Sequence, residues 1–111
     1  GAHRVTVEQM AILEPAMAET VILTCMVVIK EAIEEAIRRG VPRQVAYDFA
    51  LGHMRVNLGI LFGYIDAEVS EGAKLAVERA RRTLFQPDWK TVFEPENVRA
   101  QVDAIVHGRQ G

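Results

Sequence analysis

The stretch Val21-Ile22-Leu23-Thr24-Cys25-Met26-Val27-Val28-Ile29 constrains this chain more than any other feature. Valine and isoleucine favour strands, yet no turn signal flanks the run. Ala16–Thr20 before it and Lys30–Arg39 after it are strong helix formers in phase with it. The run is therefore the middle of a helix, and a helix apolar on every face is a buried one. Its start is marked by Thr6-Val7-Glu8-Gln9, a capping box in which the Thr6 hydroxyl accepts from the Gln9 amide and the Gln9 side chain reaches back. Its end is marked by Gly40, with Arg38 and Arg39 in the last turn where cations suit the helix dipole. One helix over about residues 6–39 follows, about 50 Å long. Pro15 lies inside it, lacks an amide, and is expected to kink or split it.

The rest also reads as helix. Pro42 sits at an N1 position and opens a second helix to about Phe62. Gly63 and the polar residues Asp66–Glu68 end it. Ser70 caps a third helix, Glu71 to about Leu84. Pro87-Asp88-Trp89 is a turn with a short helical turn to Phe93, and Trp89 and Phe93 pin it to the core. Pro95 opens a last helix to His107, closed by Gly108, with Arg109–Gly111 as a fraying tail. No alternating polar and apolar stretch supports a strand. The expected fold is all-α: one long kinked helix and three shorter ones in a single domain spanning residues 1–111. Three short helices do not cover the central run completely, so a second copy of the domain is the expected cover.

The totals exclude several classes. At 111 residues the chain needs no disulfide or metal to fold. Its formal net charge of −2 and lack of a long basic block argue against nucleic acid. The run Val21–Ile29, interrupted only by Thr24, is too short to span a bilayer, which takes about 20 residues. The lone Cys25 makes neither an internal disulfide nor a cysteine-based zinc site, which fits a reducing cytoplasm. No signal peptide is visible. The chain opens Gly1-Ala2-His3-Arg4 with no methionine and enters a helix at once. A piece of a longer protein reads this way, and so does a tag scar at Gly1-Ala2.

Few residues invite chemistry. Gly52, Gly59 and Gly63 match neither dinucleotide-binding nor P-loop spacing. Gly59 and Gly63, with three residues between them, fit close helix packing. His53 and Asn57 are i and i+4 on the second helix and share a face with Phe49, Val56 and Ile60, opposite Asp48 and Arg55. Polar groups on an apolar face need partners or a role, so the pair is either a satisfied buried couple or a pocket wall. Glu14 shares a face with Met17, Val21, Cys25 and Val28, and the following Pro15 frees the Ala11 carbonyl. A carboxylate placed there caps another helix or holds a substrate or a metal. Glu8, Glu19 and Lys30 recur every eleven residues, a charged stripe in which Glu19 lies nearest the kink. Arg79, Arg81 and Arg82 crowd the third helix as a solvated face or an anion clamp. No Ser-His-Asp, Cys-His or HExxH arrangement is present.

Three stretches carry a family resemblance. They are residues 1–15, ending Met10-Ala11-Ile12-Leu13-Glu14-Pro15; Leu51-Gly52-His53 with Asn57 and Leu58-Gly59-Ile60-Leu61-Phe62-Gly63; and Phe85-Gln86-Pro87-Asp88-Trp89-Lys90-Thr91-Val92-Phe93-Glu94-Pro95. Together they resemble the C-terminal helical domain of the 6-phosphogluconate dehydrogenase-like superfamily, in the family described as phosphogluconate dehydrogenase (decarboxylating), C-terminal, whose bacterial members include apionate-type oxidoisomerases. The resemblance implies an NAD- or NADP-binding Rossmann domain before Gly1. It also implies a sugar-derived acid bound between the domains, and dimer contacts through the helical domain. In 6-phosphogluconate dehydrogenase itself a lysine near the start of the long helix is the acid/base. Here the first lysine is Lys30, which points to an oxidoisomerase or another sugar-acid dehydrogenase. Glu14 and His53 are then the candidate catalytic residues, with Asn57 and Glu19 as candidate substrate ligands. The five-residue spacing of Glu14 and Glu19 sets them on different faces of a regular helix, so no metal is expected. The alternative is a free-standing helical interaction module, which a stop codon just upstream of Gly1 would support.

Overall fold

The computed structural model describes residues 4–110. Among them all regular structure is helical. Helix α1 spans Val7–Arg38, 32 residues. Helix α2 is Arg43–Leu61, α3 is Glu71–Thr83, and α4 is Pro95–Gln110. A 3-10 turn, Trp89–Phe93, precedes α4. The chain forms two compact units. One runs up to Val28 and resumes at Asp88; the other is Ile29–Pro87.

The caps behave as local chemistry requires. Thr6 and Gln9 make both bonds of the capping box, at 3.0 and 2.8 Å. The Ser70 hydroxyl accepts from the Ala73 amide at 3.1 Å. Gly40 and Gly63 take positive φ, 108° and 79°, which ends α1 and α2 at little steric cost. Gly108 does not adopt positive φ, and α4 runs through it to Gln110. The expected stop at Gly108 is corrected on that ground, since glycine ends a helix by turning left-handed and not by its identity. Gly111, like residues 1–3, lies outside the described residues. Pro42 sits at the N-cap of α2 instead of N1, with ψ of 138°.

Pro15 does not split α1. The helix instead widens to π-type winding from Ile12 to Leu23 and returns to α geometry at Thr24. Pro15 cannot donate the bond that regular winding requires, and i→i+5 pairing accommodates the missing donor within a continuous helix. Pro15 and Ala16 are buried there. In the first unit this segment packs on α4 and on the 3-10 turn.

In the second unit Glu34 of α1 joins the start of α2. Its carboxylate accepts two bonds from the Arg43 guanidinium, at 3.0 and 3.2 Å, and one from the Tyr47 hydroxyl at 2.6 Å. Arg43, and after it Tyr47, hold the Glu34 carboxyl below the usual carboxylate range. A depressed carboxylate stabilises the fold above its ordinary pKa, and that stabilisation is lost as pH falls through the folded value. Arg43→Ala is therefore expected to lower the melting temperature slightly at pH 7 and not at pH 2–3. The pair is exposed, which keeps the effect small. Equal losses at both pH values in thermal melts would refute the assignment.

The core is thin. Apart from Pro15 and Gly59, the buried apolar positions are Ala16, Ile33, Ala46 and Val98. Ile22, Leu23, Met26, Val27 and Val28 are each about half exposed. The sequence-based expectation that an all-round apolar helix is buried therefore fails within one chain, and the expected incomplete cover is what stands.

Candidate functional site

The candidate residues fall in two places. Glu14 and Glu19 belong to the π-wound part of α1 in the first unit. His53 and Asn57 belong to α2 in the second. All four are exposed. The picture of Glu14 as a desolvated carboxylate on a buried face, and of His53 and Asn57 as a buried couple, is thereby corrected. Their apolar neighbours Phe49 and Val56 are themselves open to solvent.

The π winding changes one geometric inference. In a regular helix residues five apart sit on different faces, as expected for Glu14 and Glu19. Where the ladder runs i→i+5, residue 19 returns above residue 14. The two carboxylates thus lie on the same side of the widened turn. They flank a hydrogen-bonded clasp that sequence reading did not single out. The Thr20 hydroxyl donates to the Pro15 carbonyl at 2.7 Å and meets Gln101 Oε1 of α4. The Gln101 side-chain amide donates in turn to the carbonyls of Val92 and Asn97, at 2.7 and 3.0 Å. Gln101 therefore ties the widened turn to the 3-10 turn. Thr20→Val removes the hydroxyl that meets the Gln101 oxygen, and is expected to cost about 1–2 kcal/mol. Chemical denaturation checks this, and an unchanged midpoint would discount the clasp. Only the five-residue step from Pro15 to Thr20 hints at it in the sequence, because Gln101 is 81 positions away.

His53 is positioned by its own helix. Its ring stacks on Phe49 with centroids 4.1 Å apart and planes 25° from parallel. Nδ1 lies 2.9 Å from the Phe49 carbonyl oxygen. A carbonyl only accepts, so Nδ1 carries the proton and donates, and Nε2 of the neutral ring keeps its lone pair. An exposed, oriented Nε2 can take a proton from a hydroxyl. Asn57, one turn further on, can donate and accept beside it. The α2 end is shaped by Gly59. A Cβ there would stand 2.4 Å from Ile65 Cδ1, and the Gly59 carbonyl accepts from the amides of Tyr64 and Ile65. The close approach expected at this glycine is thus made by the returning chain and not by another helix. It leaves Leu61, Phe62 and Tyr64 well exposed beyond the histidine.

No strand and no glycine-rich turn occur among the described residues, so they offer no cradle for a dinucleotide. They also hold no cluster of three or more histidine, cysteine or acidic groups arranged for a metal. Arg79, Arg81 and Arg82 are exposed, with Arg82 paired to Glu78 at 3.2 Å, as on a solvated face.

The family model described as phosphogluconate dehydrogenase (decarboxylating), C-term, matches residues 1–106, and the chain belongs to that family. It is 44% identical over 94% of its length to a D-apionate oxidoisomerase of Rhizobium rhizogenes, and 38% identical over 94% to one of Cupriavidus necator. It spans 38% of the length of each of these relatives. A solved structure from Cupriavidus necator, described as a semialdehyde dehydrogenase NAD-binding protein in complex with calcium and NAD, superposes with a TM-score of 0.90 at 39% identity. That match covers 93% of this chain and 37% of the other.

Proposed function

We propose that this chain is the substrate-binding and dimerisation domain of an NAD(P)-dependent oxidoreductase that acts on a sugar-derived acid of the apionate type. The observation that carries the reading is the similarity to D-apionate oxidoisomerases over 94% of the chain. In this reading the larger remainder of the protein is a Rossmann domain preceding Gly1, and it holds the nicotinamide cofactor. The described residues do not fit that cofactor, so their part is confined to the acid substrate and its protons. His53 Nε2 takes the proton of a substrate hydroxyl, and Asn57 orients that hydroxyl.

A second copy of the domain covers the exposed stripe of α1. By length and composition α1 is also apolar enough to cross a bilayer, because the apolar stretch extends beyond Val21–Ile29 across Glu14 and Glu19. Each of those carboxylates would cost roughly 2.5–3.5 kcal/mol at a bilayer centre, which favours a protein partner.

The test is the full-length protein assayed for NAD+ or NADP+ reduction with D-apionate and related sugar acids. Substrate-dependent reduction is expected. Inactivity toward all of them, with the protein folded, would overturn the reading in favour of an interaction module.

A further inference from the structure

Phe49 stands between His53 and an apolar groove of about 420 Å³ in the second unit, whose walls include Ile33, Val45 and Ala46. Ile33 and Ala46 are buried, yet Phe49 is 66% exposed. An aromatic ring that served only to fill the groove would hide most of its area. Phe49 instead presents its ring to the His53 imidazole, with centroids 4.1 Å apart and planes 25° from parallel. Its backbone carbonyl oxygen lies 2.9 Å from Nδ1 of the same imidazole. One residue thus supplies both the stack and the hydrogen bond that orient the histidine.

We infer that Phe49 is a positioning residue for His53: its ring fixes the plane of the imidazole, and its carbonyl fixes which nitrogen that plane turns outward. The inference rests on the reading above, in which Nε2 takes the substrate proton. The two contacts remove different freedoms. A stack restrains the plane but permits a half-turn about χ2, a broad two-fold torsion, which exchanges Nδ1 with Cδ2 and Nε2 with Cε1. The carbonyl opposes that half-turn, because an N–H donates to it strongly and a C–H does not. In a regular helix this carbonyl also accepts from the amide four residues on, so Nδ1 uses its second lone pair. Alone, that bond would hold poorly. It lies on an exposed face, where water competes and the net gain from one hydrogen bond is small. With the ring closing one side, Nδ1 stays at the carbonyl and Nε2 points away from α2 with its lone pair free. The i to i+4 spacing of Phe49 and His53 supplies the juxtaposition. Orientation matters because a displacement of about 1 Å in a reacting group can cost about 10²-fold in rate.

The experiment compares Phe49→Leu with Phe49→Tyr in the full-length protein. Leucine keeps an apolar side chain against the groove and a good helix former in α2, but it has no ring. Tyrosine keeps the ring. A packing role accepts leucine at least as well as tyrosine, and a positioning role accepts only tyrosine. The first readout is NMR of isotope-labelled histidine without substrate, at a pH where the ring is neutral, with His53→Ala assigning the signals. In the wild type the carbon-bound protons of His53 are expected upfield, under the ring current of Phe49, with Nδ1 as the protonated nitrogen. Phe49→Tyr keeps both signatures. Phe49→Leu loses the upfield shift, and its two nitrogen signals approach each other as the tautomers average. The second readout is oxidation of D-apionate. Phe49→Leu is expected to lower kcat about 10- to 100-fold with KM within about two-fold, because a positioned base acts in the transition state. Phe49→Tyr recovers most of that loss. Both variants melt close to the wild type, since the ring is largely exposed. Wild-type ring signals or a wild-type kcat in Phe49→Leu would overturn the inference. A Phe49→Tyr enzyme as slow as Phe49→Leu, or rate losses that track melting temperature, would do the same. The two readings fail separately. Ring signals that depend on Phe49 in a protein inactive toward sugar acids keep the positioning role and remove the enzymatic reading, and an active enzyme indifferent to Phe49→Leu does the reverse.

Discussion

Full-length protein carrying His53→Ala is expected to lose 10²- to 10⁴-fold in kcat/KM while melting within a degree or two of the wild type. The range is that of one positioned acid/base group. Activity and stability separate because of where the ring sits. Its contacts are a stack on Phe49 and a bond to the Phe49 carbonyl, both within one exposed turn of α2. Removing them empties no core. A role in proton transfer through Nε2 also predicts that His53→Gln, which keeps a polar side chain but not a base, stays impaired. Wild-type rates in His53→Ala would remove it from the site. A fall in rate matched by a fall in melting temperature would assign it to structure instead.

Met26→Glu is expected to halve the molar mass measured by light scattering at micromolar concentration. Met26 is 53% exposed and lies with Leu23 and Val27 on one face of α1, at i−3 and i+1 spacing from it. In an isolated protomer a carboxylate at this position faces water and does little harm. In a dimer it must be desolvated against apolar side chains, at several kcal/mol per ion and once from each protomer. That is a large fraction of the free energy of a micromolar complex, about 8 kcal/mol. A dimer that persists at the same concentration would place the interface elsewhere on the chain.

What could be read in advance followed the range of the interaction. Thr6 with Gln9, Ser70 with Ala73, and the left-handed glycines at 40 and 63 are settled within a few residues, and each stands where the sequence put it. Gly108 was misjudged because a glycine after apolar residues permits a stop and does not compel one. The candidate site was legible only as residue types. That His53 and Asn57 share a helix side follows from spacing. That they are exposed depends on what packs against α2, which spacing does not contain.

The amino-acid sequence determined by itself that the chain is helical, where the helices start, and which family it joins. These rest on local hydrogen bonding, side-chain periodicity and residue-by-residue similarity. The tertiary structure decided how α1 is wound. Pro15 removes a donor, and several conformations can absorb that loss. The π form is held by Thr20 meeting Gln101 from the far end of the chain, and with it Glu14 and Glu19 come to one side. The tertiary structure also decided that the central apolar run stays uncovered. Hydrophobicity drives burial but does not say against what, and among the described residues most of that surface stays about half exposed.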